Sequence, residues 1–329
     1  MTGDPRGLGA WLVDAALDRS VVGGYSKFGY AMRRRLSNWP DDPPAGALVG
    51  REALVTGASS GLGKQSCADL AGLGARVHLV VRNLQKGEVV RRELLEQLPD
   101  SEFVLWRCDV SDLRDVERFC QEYAAESGRL DVLVHNAGVM PAQRTESAQG
   151  HELAMATHVL GPLRLTESLR PQLAVSGSSR VVLVTSGGMY AQQLPVTDPE
   201  YRRGGYHGAT AYARSKRVQV ALLPVLTRRW SADGISVHAM HPGWADTPGI
   251  ADSLPLFHRV TRPILRDDSE GADTTAWLAA AEPPPPSGML WQDRRPRPEH
   301  VVPWTKETES ALQSMWQWCA LTVGIESAN

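Results

Sequence analysis

From residue 52 onward, short runs of β-branched and other apolar residues alternate with longer stretches whose apolar positions recur at helical spacing. The runs 53–56, 76–81, 103–107, 132–135, 180–185, 235–240 and 289–291 predict seven strands, each followed by a helix-length segment. Repeated strand–helix units of this kind predict an α/β fold, a doubly wound parallel seven-stranded sheet with helices on both faces. Residues 50–295 hold this domain, and no repeat of solenoid period interrupts it.

Two extensions flank it. Residues 1–49 form an N-terminal extension that is partly helical: Tyr25, Phe28, Met32, Leu36 and Trp39 recur at about helical spacing beside Arg33, Arg34 and Arg35. The prolines Pro40, Pro43 and Pro44 then stop the helix. Such a segment either rests on a lipid surface as a peripheral contact or caps the protein's own core or a dimer partner. Residues 296–329 form a C-terminal extension with a terminal helix over 305–321, which either clamps the substrate end of the sheet or covers a sheet edge.

Composition narrows the partners. The 329 residues are 42% hydrophobic and carry a formal charge of -2, so no broad field draws the chain to nucleic acid. Cys67, Cys108, Cys120 and Cys319 lack C-x-x-C spacing, no secretory leader is evident, and no stretch is apolar enough to span a bilayer. A cytoplasmic protein with reduced thiols is expected, as a homodimer or monomer. The nine histidines show no metal-ligand spacing, and no metal is expected.

The first strand runs into Thr56-Gly57-Ala58-Ser59-Ser60-Gly61-Leu62-Gly63 and then a helix. Gly57 permits the tight turn, Gly61 lets backbone N–H groups approach a pyrophosphate, and Gly63 lets the helix lie against the sheet. This is a Rossmann-type dinucleotide site. The second strand ends at Arg82 with no carboxylate to hold a ribose hydroxyl, so a 2′-phosphate is matched and NADP(H) is favoured over NAD(H).

Tyr212 and Lys216 lie four apart on one face of a predicted helix, where an ammonium would favour the phenolate and lower the tyrosine pKa. Ser186 ends the fifth strand, placed to hydrogen-bond a substrate oxygen as charge develops.

With the glycine turn, Asn136-Ala137-Gly138, Ser186, Tyr212-x-x-x-Lys216 and Pro242-Gly243 in that order, the chain resembles the short-chain dehydrogenase/reductase family over about residues 50–295. The strings Ser186-Gly187-Gly188-Met189, His241-Pro242-Gly243-Trp244, Trp291-Gln292-Asp293-Arg294 and Gly24-Tyr25-Ser26-Lys27-Phe28 are similar to the branch of dehydrogenase/reductase family member 12 and its bacterial relatives. The resemblance implies that Ser59, Ser60 and Leu62 join the three glycines around the cofactor, and that Asp109 and Val110 border the adenine. It implies that Asn136, Ala137 and Gly138 line the dinucleotide, that Pro242, Gly243 and Thr247 flank the nicotinamide, and that Tyr212 and Lys216 reach its ribose. Asp109 could instead cap the helix near Asp112, and Asn136 to Gly138 could be a simple tight turn.

One position departs from the family pattern. His158 stands where members carry an asparagine that holds a relay water; it either takes part in the relay or is an ordinary hydrogen-bonded helix histidine. The expected function is an oxidoreductase interconverting a carbonyl and an alcohol on a fairly apolar small molecule. The alternative is a dinucleotide-binding regulator or scaffold in which catalysis is weak or lost.

Overall fold

The computed structural model describes residues 5–246 and 255–326, so Thr247 lies outside the described residues. Seven strands appear where the apolar runs predict them: β1 (Glu52–Thr56), β2 (Arg76–Val81), β3 (Phe103–Arg107), β4 (Val132–His135), β5 (Ser179–Val184), β6 (Ile235–Met240) and β7 (Met289–Gln292). They pair in parallel in the order β3-β2-β1-β4-β5-β6-β7. The order reverses between β1 and β4, and the crevice at that switch point is where open α/β sheets bind ligands.

The sheet has eight strands rather than seven. Arg295–Arg297 forms β8, antiparallel to β7, after a turn in which Asp293 and Arg294 have φ of 53° and 56°. An Arg-Pro-Arg segment has no apolar alternation to reveal it, and Pro296 is tolerated because the strand lies at the edge.

The central helices are α4 (Gly61–Gly72), α5 (Leu84–Gln97), α6 (Leu113–Glu126), α7 (Leu153–Met155), α8 (Gly161–Ser168), α9 (Arg170–Ser176), α10 (Gly208–Ala221), α11 (Leu223–Trp230), α12 (Pro255–Thr261) and α13 (Asp268–Ala280), with α1 to α3 before them and α14 (Glu309–Val323) after. Apolar side chains fill two cores, one on each sheet face. Leu54, Leu133, Val181 and Val237 point to one; Ala53, Val55, Val132 and Val182 point to the other. Both faces are covered, which is why the strands read as continuous apolar runs.

The N-terminal extension folds as α1 (Pro5–Arg19), α2 (Val21–Tyr25) and α3 (Lys27–Arg34). The predicted stripe divides. Of its positions Tyr25 turns inward, as do Tyr30 and Arg33 beside it, whereas Phe28 and Met32 are 59% and 49% exposed. Inside, Arg33 pairs with Asp14 at 2.8 Å and Asp293 at 2.6 Å, and Arg297 pairs with Asp14 at 2.9 Å. These pairs bolt the extension to the β7–β8 turn. At the other end, α14 packs on α8 and the adjoining helical turn, with Arg229 stacked on Trp316 and Arg164 donating to the Val323 carbonyl.

Candidate active site

The glycine turn has the shape that a dinucleotide needs. Gly57 and Gly61 have φ of 68° and 52°, a region that glycine enters without steric cost. A Cβ on Gly57 would lie 2.7 Å from the Ala137 Cα, and one on Gly63 would lie 2.4 Å from both the Asn136 Nδ2 and the Gly57 carbonyl oxygen. Asn136 thereby locks the turn: its Nδ2 donates to the Thr56 and Gly57 carbonyls at 3.1 and 3.3 Å. The Asn136 and Ala137 amides both donate to Thr56 Oγ1, so Asn136-Ala137-Gly138 is tied to β1. At Ser60 the helix begins with no side-chain cap, which leaves the first-turn amides of α4 without that partner. A cradle of free backbone N–H groups and glycines at a helix N-terminus fits a pyrophosphate.

Arg82 is exposed just beyond β2, and Asn83 beside it caps α5 through Lys86 N at 3.0 Å. Asp109 does not cap α6. It accepts from Ser111 N and Oγ at 3.0 and 2.7 Å, while Asp112 caps the helix through Arg114 N and Asp115 N. Val110 is buried against α8, where a Cβ on Gly161 would collide with its carbonyl oxygen.

Ser186, Tyr212 and Lys216 converge at the C-terminal end of β5. The Ser186 hydroxyl lies beside the Tyr212 phenol, close enough to lower its pKa, and Lys216 Nζ lies 5.6 Å from the centre of the Tyr212 ring. Lys216 is buried and donates to the Val184 carbonyl at 2.7 Å. Burial pulls its ammonium down to about 7. Tyr212 moves opposite to the expected direction: burial raises its pKa, and the Ser186 hydroxyl is the group that draws it back. Desolvation of the phenolate sets the direction.

His158 sits in a π-helical turn, Ala156–Leu160, between α7 and α8. Its Nε2 accepts from the Val139 amide at 3.0 Å, so the ring proton is on Nδ1, which donates to Ser215 Oγ at 2.7 Å. Ser215 Oγ donates in turn to the Tyr212 carbonyl at 2.8 Å, and Gln219 Nε2 donates to the His158 carbonyl at 2.7 Å. The imidazole packs edge-on against the Tyr212 ring, with centroids 5.2 Å apart. Burial and then the Lys216 charge hold its pKa well below the ordinary histidine value.

After β6, Gly243 has φ of 75° and its amide donates to His241 Nδ1 at 3.0 Å. Sequence reasoning missed what holds this turn. The Trp244 amide donates to the Tyr25 carbonyl at 2.8 Å, and Arg266 reaches the Pro242 carbonyl at 3.2 Å. The Tyr25 ring lies edge-on to His241 at 4.7 Å and against Gly187, where a Cβ would be 3.3 Å from Tyr25 Cε2. The Gly24-Tyr25 and Gln292-Asp293 strings stood out in the sequence, but nothing in their spacing joins them.

The wall beyond Ser186 is similarly fastened. Tyr190 donates to the Pro298 carbonyl at 2.8 Å, and buried Arg217 donates to the Glu299 carbonyl at 2.6 Å and to His300 and Glu307. Glu299, His300 and Glu307 bring potential ligand atoms within 4.8 Å of one another, and the Arg217 guanidinium supplies the positive charge there.

A sheet with this strand order, a glycine turn at its switch point and a Ser–Tyr–Lys group beside it define a Rossmann-type dinucleotide-dependent oxidoreductase. The short chain dehydrogenase family model matches residues 51–254. Dehydrogenase/reductase SDR family member 12 of Bos taurus is 38% identical over 281 residues, 84% of this chain and 86% of that protein. Retinol dehydrogenase 12 of Homo sapiens is 32% identical over 249 residues, 75% of this chain and 78% of the relative. A solved structure of an uncharacterised protein from Mycobacterium paratuberculosis superimposes with a TM-score of 0.70 at 26% identity, covering 88% of this chain and 98% of the other. The chain belongs to the short-chain dehydrogenase/reductase family, and within it to the branch of family member 12. It is an NAD(P)-dependent short-chain dehydrogenase/reductase.

Proposed function

We propose that this enzyme prefers NADP(H) and interconverts a carbonyl and an alcohol on a small, fairly apolar substrate. The observation that carries the proposal is the convergence of Ser186, Tyr212 and Lys216, with the serine hydroxyl beside the phenol and the ammonium over its ring.

When bound, the cofactor supplies or accepts the hydride at the substrate carbon. Gly57, Ser59, Ser60, Gly61, Leu62 and Gly63 would hold its pyrophosphate, Asn136, Ala137 and Gly138 its middle, and Pro242 and Gly243 its nicotinamide end. Ser186 and Tyr212 donate hydrogen bonds to the carbonyl oxygen, where preorganised donors act most strongly on developing negative charge. Tyr212 then gives its proton to the alkoxide. Lys216 opposes the phenolate with an ammonium and would hold the nicotinamide ribose. A phenol raised by burial keeps its proton until the alkoxide forms, which suits it to act as the acid.

His158 has both ring nitrogens committed, one accepting from Val139 and one donating to Ser215. That geometry supports a positioning role beneath Tyr212 over participation in a proton relay. Arg82 supports NADP(H): it is an exposed cation at the end of β2 with no acid in the adjacent Asn83. Replacing Arg82 with Asp should lower the NADPH to NADH ratio of kcat/KM by about 10-fold or more, the loss expected when a charge-assisted phosphate contact of ~1.5–3 kcal/mol is removed. An unchanged ratio would remove the support for NADP(H).

The proposed setting is the cytoplasm, with peripheral membrane contact. Among the described residues no helix is long and apolar enough to cross a membrane. Trp11, Leu12, Val22, Phe28 and Met32 are exposed on α1 to α3 together with Arg19, Arg34 and Arg35, whereas Asp14 and Asp18 engage the inner arginines. An apolar and cationic surface whose described acids, Asp14 and Asp18, are turned to the inner arginines is matched to an anionic lipid headgroup layer.

A further inference from the structure

Arg266 is 1% exposed, and each of its five N–H bonds is used. Nε donates to the Tyr25 carbonyl at 3.0 Å. Nη1 donates to the Pro242 carbonyl at 3.2 Å and to Asp293 Oδ1 at 2.6 Å. Nη2 donates to the Gly24 carbonyl at 3.0 Å and to Asp293 Oδ2 at 3.0 Å. The Gly24 carbonyl also accepts from Arg33 Nη1 at 2.8 Å and Gln292 Nε2 at 2.9 Å. One guanidinium therefore joins three distant pieces of chain: the N-terminal extension, the Pro242-Gly243 turn and the β7–β8 turn.

The guanidinium also sets the shape of the Pro242-Gly243 turn. A Cβ on Gly243 would meet Arg266 Cζ and Nε at 2.5 Å and the Tyr25 carbonyl oxygen at 2.7 Å, so the turn is pressed directly onto this plane. The backbone repeats the connection: Arg266 N donates to the Trp244 carbonyl and Asp246 N to the Arg266 carbonyl, both at 2.8 Å. The Tyr25 ring then spans from this turn to Gly187, next to Ser186.

We propose that Arg266 is a positioning residue that uses the Gly24 and Tyr25 carbonyls as a strut to hold Pro242-Gly243-Trp244 against the nicotinamide half of the cofactor, making the N-terminal extension an internal part of the active site. This rests on the reading of the chain as an NADP(H) enzyme. Its charge is balanced by Asp293, and its planar fork satisfies acceptors in several directions at once, which a lysine ammonium cannot do.

The test compares two ligands on the full-length chain by calorimetry. NADPH engages both halves of the site; adenosine 2′,5′-bisphosphate engages only the adenosine half. Arg266→Lys should weaken NADPH about 10-fold while changing adenosine 2′,5′-bisphosphate by less than about 2-fold. Where turnover is followed as well, the deuterium isotope effect with 4-deuterated NADPH should rise as hydride transfer becomes slower relative to release. Gln292→Met, which removes one of three donors to Gly24 and keeps the side-chain volume, should shift NADPH alone by about 2- to 3-fold and serves if Arg266→Lys does not fold. Equal weakening of both ligands, or of neither, would overturn the proposal. A wild-type chain that binds neither ligand would instead overturn the NADP(H) reading.

Discussion

His158 and Ser215 are joined by a 2.7 Å hydrogen bond whose direction is set from the far side of the imidazole, where the Val139 amide occupies Nε2. The proton on Nδ1 is passed to no titrating group; it fixes Ser215, whose hydroxyl holds the carbonyl of Tyr212. Replacing His158 with Ala should lower kcat by roughly 10- to 100-fold through misplacement of the phenol. The pH profile of kcat should keep its inflections, because the neutral imidazole does not titrate in the working range. A displaced inflection would favour the relay role instead.

Lys216 carries the second prediction. Burial brings it to about 7, while His135 beneath it is held near 3 by burial and the Lys216 charge, and Tyr212 is raised. Above about pH 7 the free protein therefore holds this lysine largely neutral, and an anionic dinucleotide favours its ammonium. Binding of NADPH at pH 8 should take up protons, and affinity should fall as pH rises from 7. Calorimetry in buffers of different ionisation enthalpy reads the uptake directly. Lys216→Met should abolish it; uptake that survives in that variant would assign the proton elsewhere.

The buried ion network sets acid stability. At Asp293 burial pushes the pKa up, but Arg266 and Arg33 overcome it and hold the carboxyl at about 2, and Asp14 is also lowered. A depressed carboxylate pKa stabilises the fold fully above the unfolded value of about 4, and that stability is lost as pH falls toward the folded one. Asp293→Asn should cost about 3–5 kcal/mol at pH 7, the usual cost of breaking a buried pair, and the gap from wild type should shrink between pH 4 and 2. Urea unfolding at each pH measures it, and a gap independent of pH would refute the assignment.

The exposed face of the N-terminal helices gives the fourth prediction. The full chain should sediment with vesicles containing phosphatidylserine and stay in solution with pure phosphatidylcholine, since each basic residue near an anionic surface contributes about 1 kcal/mol. Phe28→Asp combined with Met32→Asp should abolish sedimentation and leave NADPH binding intact, because both side chains face outward. Equal sedimentation with neutral vesicles, or none with anionic ones, would remove the membrane contact.

The seven strands between 52 and 292 were legible because two covered sheet faces demand uninterrupted apolar strands such as 76–81 and 180–185, and the turn after β1 because its close approaches and positive φ admit few residues besides glycine at 57, 61 and 63. The eighth strand was hidden by its own composition, Arg-Pro-Arg. Asp109, named as a cap candidate, proved to hold Ser111 while Asp112 capped the helix. The tyrosine pKa moved the other way because burial is a property of tertiary packing, whereas the four-residue spacing to Lys216 is local. The Arg266 network was invisible for the same reason: its bond to Tyr25 spans 241 positions, and Arg33 to Asp293 spans 260.

Tyr212 as the acid is the central claim, and the most direct measurement is NADPH-dependent turnover of an aldehyde and ketone panel by the wild type and Tyr212→Phe. Wild type should reduce at least one apolar carbonyl, and the variant should lose about 1,000-fold or more in kcat, roughly 4 kcal/mol of transition-state stabilisation, with NADPH affinity preserved. Turnover undiminished in Tyr212→Phe would contradict the mechanism, and tight NADPH binding with no turnover by wild type would leave a dinucleotide-binding scaffold in its place.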